Sequence, residues 1–393
     1  MVGACSPGAD RVAGAVLAGA GIAHPPPVRQ DELWNGYFSR HYAGMQCALA
    51  ERIFRNSGIT TRHGALSPLV EDVSGWSTAR RMQRYLVEAL PLGKAAVADA
   101  LAAARLDPAE VGLFAACSCT GYATPGLDVL LARDLGLAAA TQRLFLGHMG
   151  CHAALPGLGA VADFVRARGR PGVLLCLELT SLHVQPASAD PQQIVAHALF
   201  SDAAAAVVLR PAASTAGTSH AGGGGTGGPA ADDAGTGGPA GGDTVSGYEV
   251  LDVASATDVA TAEYMTWEVT DLGFRMGLSP RVPDVLDTVV APLVHRLLDG
   301  YGLTVGDVDG WAIHPGGPRI LDVVQARLGL PDAALDASRA VLARHGNCSS
   351  PTVLMVIEKL RPTQPRYVVA LAFGPGLTIY TALLRRCSDD AGV

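Results

Sequence analysis

Residues 142–165 read QRLFLGHMGCHAALPGLGAVADFV. The short apolar run RLFLG has strand character, HMG reads as a turn, and from Cys151 onward apolar side chains occur nearly all round a helical period, the mark of a buried helix. A strand feeding a buried helix through a tight turn is the unit of an α/β fold. It also places a thiol in the first helical turn, where the positive end of the dipole and unpaired backbone N–H groups favour the thiolate. The opposing reading is a small buried hydrophobe, the ordinary fate of a free cysteine.

The same alternation extends in both directions. Strands are predicted at AVLAGAGIA (15–23), GLFAACS (112–118), GVLLCLEL (172–179) and AAAAVVL (203–209), with helical patterns at 84–104 and 125–136 between them. Downstream, YEVLDVAS (248–255), GWAIHPGG (310–317), RYVVALAFG (366–374) and TIYTALLRR (378–386) alternate with helical 281–302 and 350–360. Two similar α/β units follow from this order, built on mostly parallel sheets covered by helices. Between them, residues 211–246 hold 12 glycines in 36 positions and repeat GTGGPA, a composition that cannot bury enough surface to offset chain entropy. The chain therefore divides into an N-terminal half (1–210), a disordered Gly/Pro/Ala-rich insertion (211–246) and a C-terminal half (247–393).

Composition excludes several function classes. A net charge of −7, with scattered Lys and Arg, offers nothing to a phosphate backbone, so nucleic-acid binding is not expected. No charge-free run of about 20 apolar residues is present, so no membrane span is predicted. Eight cysteines without regular spacing fit neither a disulfide framework nor a zinc site and suit a reducing cytoplasm.

A thiolate nucleophile needs a base and an oxyanion stabiliser. His314 follows an apolar strand and precedes Gly-Gly-Pro, where a turn presents its ring; His197 and His345 compete with it. Asn347 stands before the helical SPTVLMVIEKL, where capping is the plainer role.

Eight stretches in order carry a resemblance across nearly the whole chain: TGYATPGLD (120–128), GHMGCHAALPG (147–157), LELTS (177–181), ALFSDAAAAVVL (198–209), GFRMGLSPRVP (273–283), WAIHPGGPRILD (311–322), GNCSSPTVLMV (346–356) and AFGPGLTIYTALL (372–384). Together they resemble the type III polyketide synthases, the chalcone-synthase-like branch of the thiolase fold. The resemblance implies a five-layered αβαβα subunit of two similar halves, a homodimer, and Cys151, His314 and Asn347 as a catalytic triad. It implies acyl-CoA starters and malonyl-CoA as substrates, no metal or redox cofactor, and a poly-β-ketone that cyclises to a resorcinol, pyrone or related aromatic product. Phe200 and Phe274 fall at the family's gatekeeper positions. Ser349, Gly374, Pro375 and Gly376 match positions lining the cavity. Arg52, Arg55 and Arg62 lie near its CoA-phosphate contacts. Cys119, Thr180 and His183 fall along the elongation cavity, and the cysteine, with HAA after the nucleophile, is similar to bacterial members rather than plant chalcone synthases.

Three other readings compete. A β-ketoacyl-ACP synthase III-like condensing enzyme shares fold and triad, but usually has HQAN where this chain has HPGGP. A papain-like hydrolase runs Cys, His, Asn in the same order, but without the CGSCW setting. An inactive thiolase-fold scaffold predicts a damaged triad, whereas all three members are present.

Overall fold

The computed structural model describes residues 14–44, 46–212 and 247–387; most of the proposed insertion, and so its predicted disorder, lies outside the described residues. The N-terminal half contributes strands β1 (Ala15–Ala23), β4 (Leu113–Cys117), β5 (Gln142–Leu146), β6 (Gly172–Leu179) and β7 (Asp202–Pro211). The C-terminal half contributes β8 (Tyr248–Thr257), β11 (Gly310–Ile313), β12 (Tyr367–Gly374) and β13 (Thr378–Arg386). All nine join in the order β11-β12-β13-β8-β1-β7-β6-β4-β5. Within the sheet the halves are joined by two register pairs, Val16 with Glu249 and Leu17 with Tyr248.

The halves repeat one topology. β4 pairs parallel with β6, which runs antiparallel to β7, itself antiparallel to β1. β11, β12, β13 and β8 reproduce those relations in the same order. The expectation of mostly parallel sheets is thereby corrected: three neighbouring pairs are parallel and five antiparallel. The reason is visible between β12 and β13, where residues 375–377 are too few for a crossover and enforce a hairpin.

Five layers follow from the burial of alternate strand residues on opposite faces. Helices α6 (Ala154–Arg168) and α11 (Pro351–Leu360) share one core with Leu174 and Ala205 of one half-sheet and Ala370 and Ala382 of the other. Their neighbours Leu175 and Val208 face outward to α4 (Thr78–Ala103), capped at its start by the Ser77 hydroxyl. Leu371 and Leu383 face α8 (Val282–Asp299) and α9 (Pro318–Leu328) on the opposite outer side. The middle helices are apolar nearly all round because sheets cover them on two sides. Burying a side chain such as Leu155 or Leu158 there contributes roughly 1.5–3 kcal/mol.

Smaller elements decorate this frame. They are the strand pair β2 (Pro27–Arg29) and β3 (Thr61–His63), the hairpin β9 (Met265–Thr270) and β10 (Gly273–Leu278), and helices α1 (Gln30–Leu33), α2 (Ser39–His41), α3 (Cys47–Arg55), α5 (Leu127–Leu135), α7 (Pro191–Leu199) and α10 (Asp336–His345).

Candidate active site

Cys151, His314 and Asn347, which lie far apart in the chain, line one cavity of about 520 Å³. Each arrives by a distinct local device. Cys151 lies in a single 3-10 turn, Gly150–His152, between β5 and α6. Gly150 has φ +66°, and a Cβ there would sit 2.6 Å from Pro375 Cδ, so only glycine lets the β12–β13 turn press against the Cys151 turn. His314 directly follows β11, its N–H donating to Leu371 O at 2.8 Å. Asn347 follows α10 and bridges to the residue after α7: its N–H donates to Leu199 O and its carbonyl accepts from Ser201 N–H, both at 2.9 Å. Gly346 (φ +72°) permits that approach, since a Cβ would meet Ser201 Cβ at 2.9 Å.

Hydrogen bonding fixes what each group can offer. Asn347 Oδ1 accepts from the Ser349 N–H at 2.9 Å, which leaves the Nδ2 amine as its remaining donor. Both ring nitrogens of His314 are buried and free of protein partners. Burial pushes the His314 ring down to about 3, with His152 adding to the shift. Burial also pushes the Cys151 thiol up to about 12, reinforced by the Glu178 carboxylate. Desolvation thus works against the helix end at Cys151 and against a charged His314 ring in the empty cavity.

The other expected residues divide. Phe200 lines the large cavity and two smaller ones of about 60 and 20 Å³, standing where all three meet. Phe274 lines only the 60 Å³ cavity, together with Thr180 and His183; Met276, not Phe274, joins Phe200 in the wall of the triad cavity. His183 Nδ1 accepts from the Phe274 N–H at 3.0 Å, so Nε2–H donates to Thr120 O at 2.7 Å. Cys119, Ser349, Thr180 and Pro375 line the smallest cavity with Cys151 itself. Gly374 and Gly376 shape the β12–β13 turn instead of lining a cavity; a Cβ at Gly374 would lie 3.2 Å from the Cys151 backbone nitrogen.

Of the three arginines, Arg52 lines the large cavity. Arg55 is exposed and paired with Glu51 at 2.6 Å. Arg62 is a correction: it is buried, and its guanidinium donates to His197 O at 2.6 Å and Phe200 O at 2.9 Å, bracing the Phe200 turn from behind. A buried group so engaged has no reach to a solvent-side phosphate.

Two features escape the sequence reading. Arg319, in the Gly-Gly-Pro-Arg turn opening α9, lines the large cavity beside Arg52. Glu178 is fully buried in β6, accepting from Thr120 Oγ1 at 2.8 Å, Cys119 N at 3.0 Å and Ser350 Oγ at 3.0 Å. Burial raises its carboxyl to about 7. The signal was a lone acid within an apolar strand, a pattern that requires buried donors.

Comparison with known proteins bears on this site. The chain matches the chalcone and stilbene synthase family models in both parts, the N-terminal domain over residues 9–212 and the C-terminal domain over 252–388. It is 35% identical over 349 residues to a 1,3,6,8-tetrahydroxynaphthalene synthase of Streptomyces peucetius subsp. caesius, covering 87% of this chain and 85% of that one. It is 32% identical to the alpha-pyrone synthesis polyketide synthase-like Pks18 of Mycobacterium tuberculosis (strain ATCC 25618 / H37Rv), covering 84% and 80%. Among solved structures, PKS-I of the brown alga Ectocarpus siliculosus superposes with a TM-score of 0.84 at 26% identity, covering 96% of this chain and 100% of that one. The tetrahydroxynaphthalene synthase of Streptomyces coelicolor A3(2) gives 0.81 at 25%, covering 95% and 99%.

Proposed function

This chain belongs to the chalcone and stilbene synthase family and is a type III polyketide synthase, and we propose that Cys151 carries the growing acyl chain while His314 and Asn347 stabilise the enolate that extends it. The observation that carries this reading is the convergence of the three side chains on one cavity.

His314, neutral at rest, takes the Cys151 proton as sulfur attacks the starter thioester, and returns it to the departing CoA thiolate. This leaves an acyl-Cys151 thioester and free CoA. Malonyl-CoA then enters with its thioester oxygen against the single N–H of the neutral His314 ring and the Asn347 Nδ2–H. Loss of CO₂ places negative charge on that oxygen, where two donors fixed before the reaction stabilise it. The enolate carbon attacks the acyl carbonyl, expels the Cys151 thiolate and yields a β-ketoacyl-CoA two carbons longer; a proton from solvent restores the thiol, and the cycle can reload. The largely apolar wall, including Ile53, Val195, Leu199 and Met276, keeps water from the thioester. Arg52 and Arg319 on the cavity lining are the cations suited to CoA phosphates, replacing Arg62 in that role.

β5 is an edge strand with Leu144 and Phe145 exposed, and a second copy of the chain covering it gives the homodimer. No helix among the described residues is long and apolar enough to cross a membrane, and seven of their cysteines are free, in keeping with a cytoplasmic enzyme.

The test is incubation of the purified protein with malonyl-CoA and a panel of short, long and aromatic acyl-CoA starters, with products identified by mass spectrometry and CO₂ release followed in parallel. Chain-extended products from CoA substrates alone are expected. A strict requirement for acyl carrier protein would move the assignment to a β-ketoacyl-ACP synthase III-like enzyme.

A further inference from the structure

Next to the Asn347 bridge in the chain, outside the lining of the large cavity, three histidines from distant parts of the sequence come together. His24 follows β1, His63 ends β3, and His345 ends α10. One nitrogen from each lies within 4.8 Å of the other two, and they form the one group of three or more potential ligands among the described residues.

The positions of the ring protons can be assigned. His63 Nδ1 lies 2.9 Å from Pro25 O, so it carries the proton and donates, leaving Nε2 as a lone-pair atom turned to the cluster. A backbone carbonyl on one ring nitrogen is the arrangement that orients histidine ligands toward a metal; here the other nitrogen, Nε2, accepts from His345 Nδ1–H, a proton the ion would displace. His63 Nε2 faces His345 Nδ1 at 3.1 Å, close to the roughly 3.3 Å between two nitrogens of a tetrahedral site with metal–nitrogen bonds near 2.0–2.1 Å. His24 lies flat over this pair, with ring centroids 4.3 and 4.5 Å away. Its Nδ1 is buried and without a hydrogen-bond partner, a costly condition for an imidazole nitrogen.

We propose that His24, His63 and His345 form a binding site for one divalent transition metal of the imidazole-preferring class, Zn²⁺ or its neighbours, separate from the catalytic cavity. Ligation requires the His24 ring to turn out of its stack so that Nδ1 points at the ion, which gives that nitrogen its partner. The ion would tie β1 and β3 of the N-terminal half to the end of α10, two residues before Asn347, stiffening the base of the catalytic bridge.

The experiment is calorimetric titration of Zn²⁺ into the full chain after chelator treatment, with Co²⁺ absorption spectra beside it. One Zn²⁺ per chain is expected, with affinity reduced at least tenfold in His24→Gln and in His63→Gln, and unchanged in His295→Gln on the exposed face of α8. Bound Co²⁺ should show visible d–d bands without the near-ultraviolet thiolate band, and the melting temperature of the parent should rise with Zn²⁺. Absence of binding, binding indifferent to His24 and His63, or a thiolate band pointing to a cysteine site would each overturn the proposal. The cobalt spectrum of the parent decides the ligand type even if a variant folds poorly.

Discussion

The two middle helices occupy equivalent places in the two half-folds, α6 leading into β6 and α11 into β12, yet their entries do opposite chemistry. The α6 entry is a tight turn behind a left-handed Gly150 that presents sulfur. The α11 entry runs through Asn347 and a left-handed Ser349, and presents an amide whose oxygen is already engaged. A repeated scaffold thus delivers one thiol and one amide donor to a shared cavity, and on the proposed mechanism the two steps of the reaction should be separable by damaging one entry at a time. Cys151→Ala is the largest break expected: starter loading and polyketide formation abolished, while CO₂ release from malonyl-CoA persists and gives acetyl-CoA. Asn347→Ala should do the reverse, slowing decarboxylation on the order of a hundredfold or more while acyl-Cys151 still forms on the mass spectrometer. Equal decarboxylation by Asn347→Ala and parent would reduce Asn347 to a turn-capping residue.

The electrostatic contrast between the entries is sharpened by alkylation. With the Cys151 thiol raised by burial, the thiolate is scarce at neutral pH, and its fraction climbs about tenfold per pH unit below its pKa. Iodoacetamide modification of Cys151 should therefore accelerate steeply from pH 6 to 9. A rate that is fast and flat across that range would reveal a standing thiolate–imidazolium pair. On the His314 side, its lowered pKa keeps the ring a base throughout the same window, so no acid limb near pH 6.5 should come from it.

His183 tests how far the cavity wall extends from these entries. Removing its ring leaves the Phe274 N–H and Thr120 carbonyl buried without partners, at about 1–3 kcal/mol each. His183→Ala should therefore lower the denaturation midpoint and also enlarge the 60 Å³ cavity, shifting products toward longer chains or bulkier starters. An unchanged product distribution in a folded variant would place His183 outside the elongation path.

Much of this was legible in the chain because strand and helix periods are local. The nine main strands lie where alternation and apolar runs put them, whereas turns alone left His197 and His345 beside His314 and a capping role for Asn347, and it was the ordered family motifs that singled out Cys151, His314 and Asn347. What was not legible depends on which segments meet. Sheet direction was misjudged because burial on both faces makes an antiparallel strand such as β7 read like a parallel one. Arg62 reads as a surface cation until the Phe200 turn is laid over it, and a thiol at a helix start reads as acidic until the two sheets that desolvate it are in place. The trio His24, His63 and His345 spans most of the chain, so no spacing could announce it.

The smallest effect is expected where the halves are joined. β7 and β8 flank β1 on opposite sides, with Pro211 opposite Ala15 and Tyr248 opposite Leu17. The ends of the intervening segment therefore leave the sheet about 12 Å apart, two strand spacings with a small offset. A six-residue Gly/Ser turn, reaching roughly 20 Å when extended, spans that gap without pulling either strand out of register. Shortening the connection more than fivefold also lowers its closure entropy by about 1.5 kcal/mol, a mild stabilisation. Replacing residues 213–246 by such a turn should leave kcat/KM within about twofold of the parent and the melting temperature unchanged or slightly raised. Because the same cut leaves both helix entries intact, a large fall in turnover with stability retained would mean that this segment itself acts on the site. A fall in both would mean that the β1–β8 join needs it.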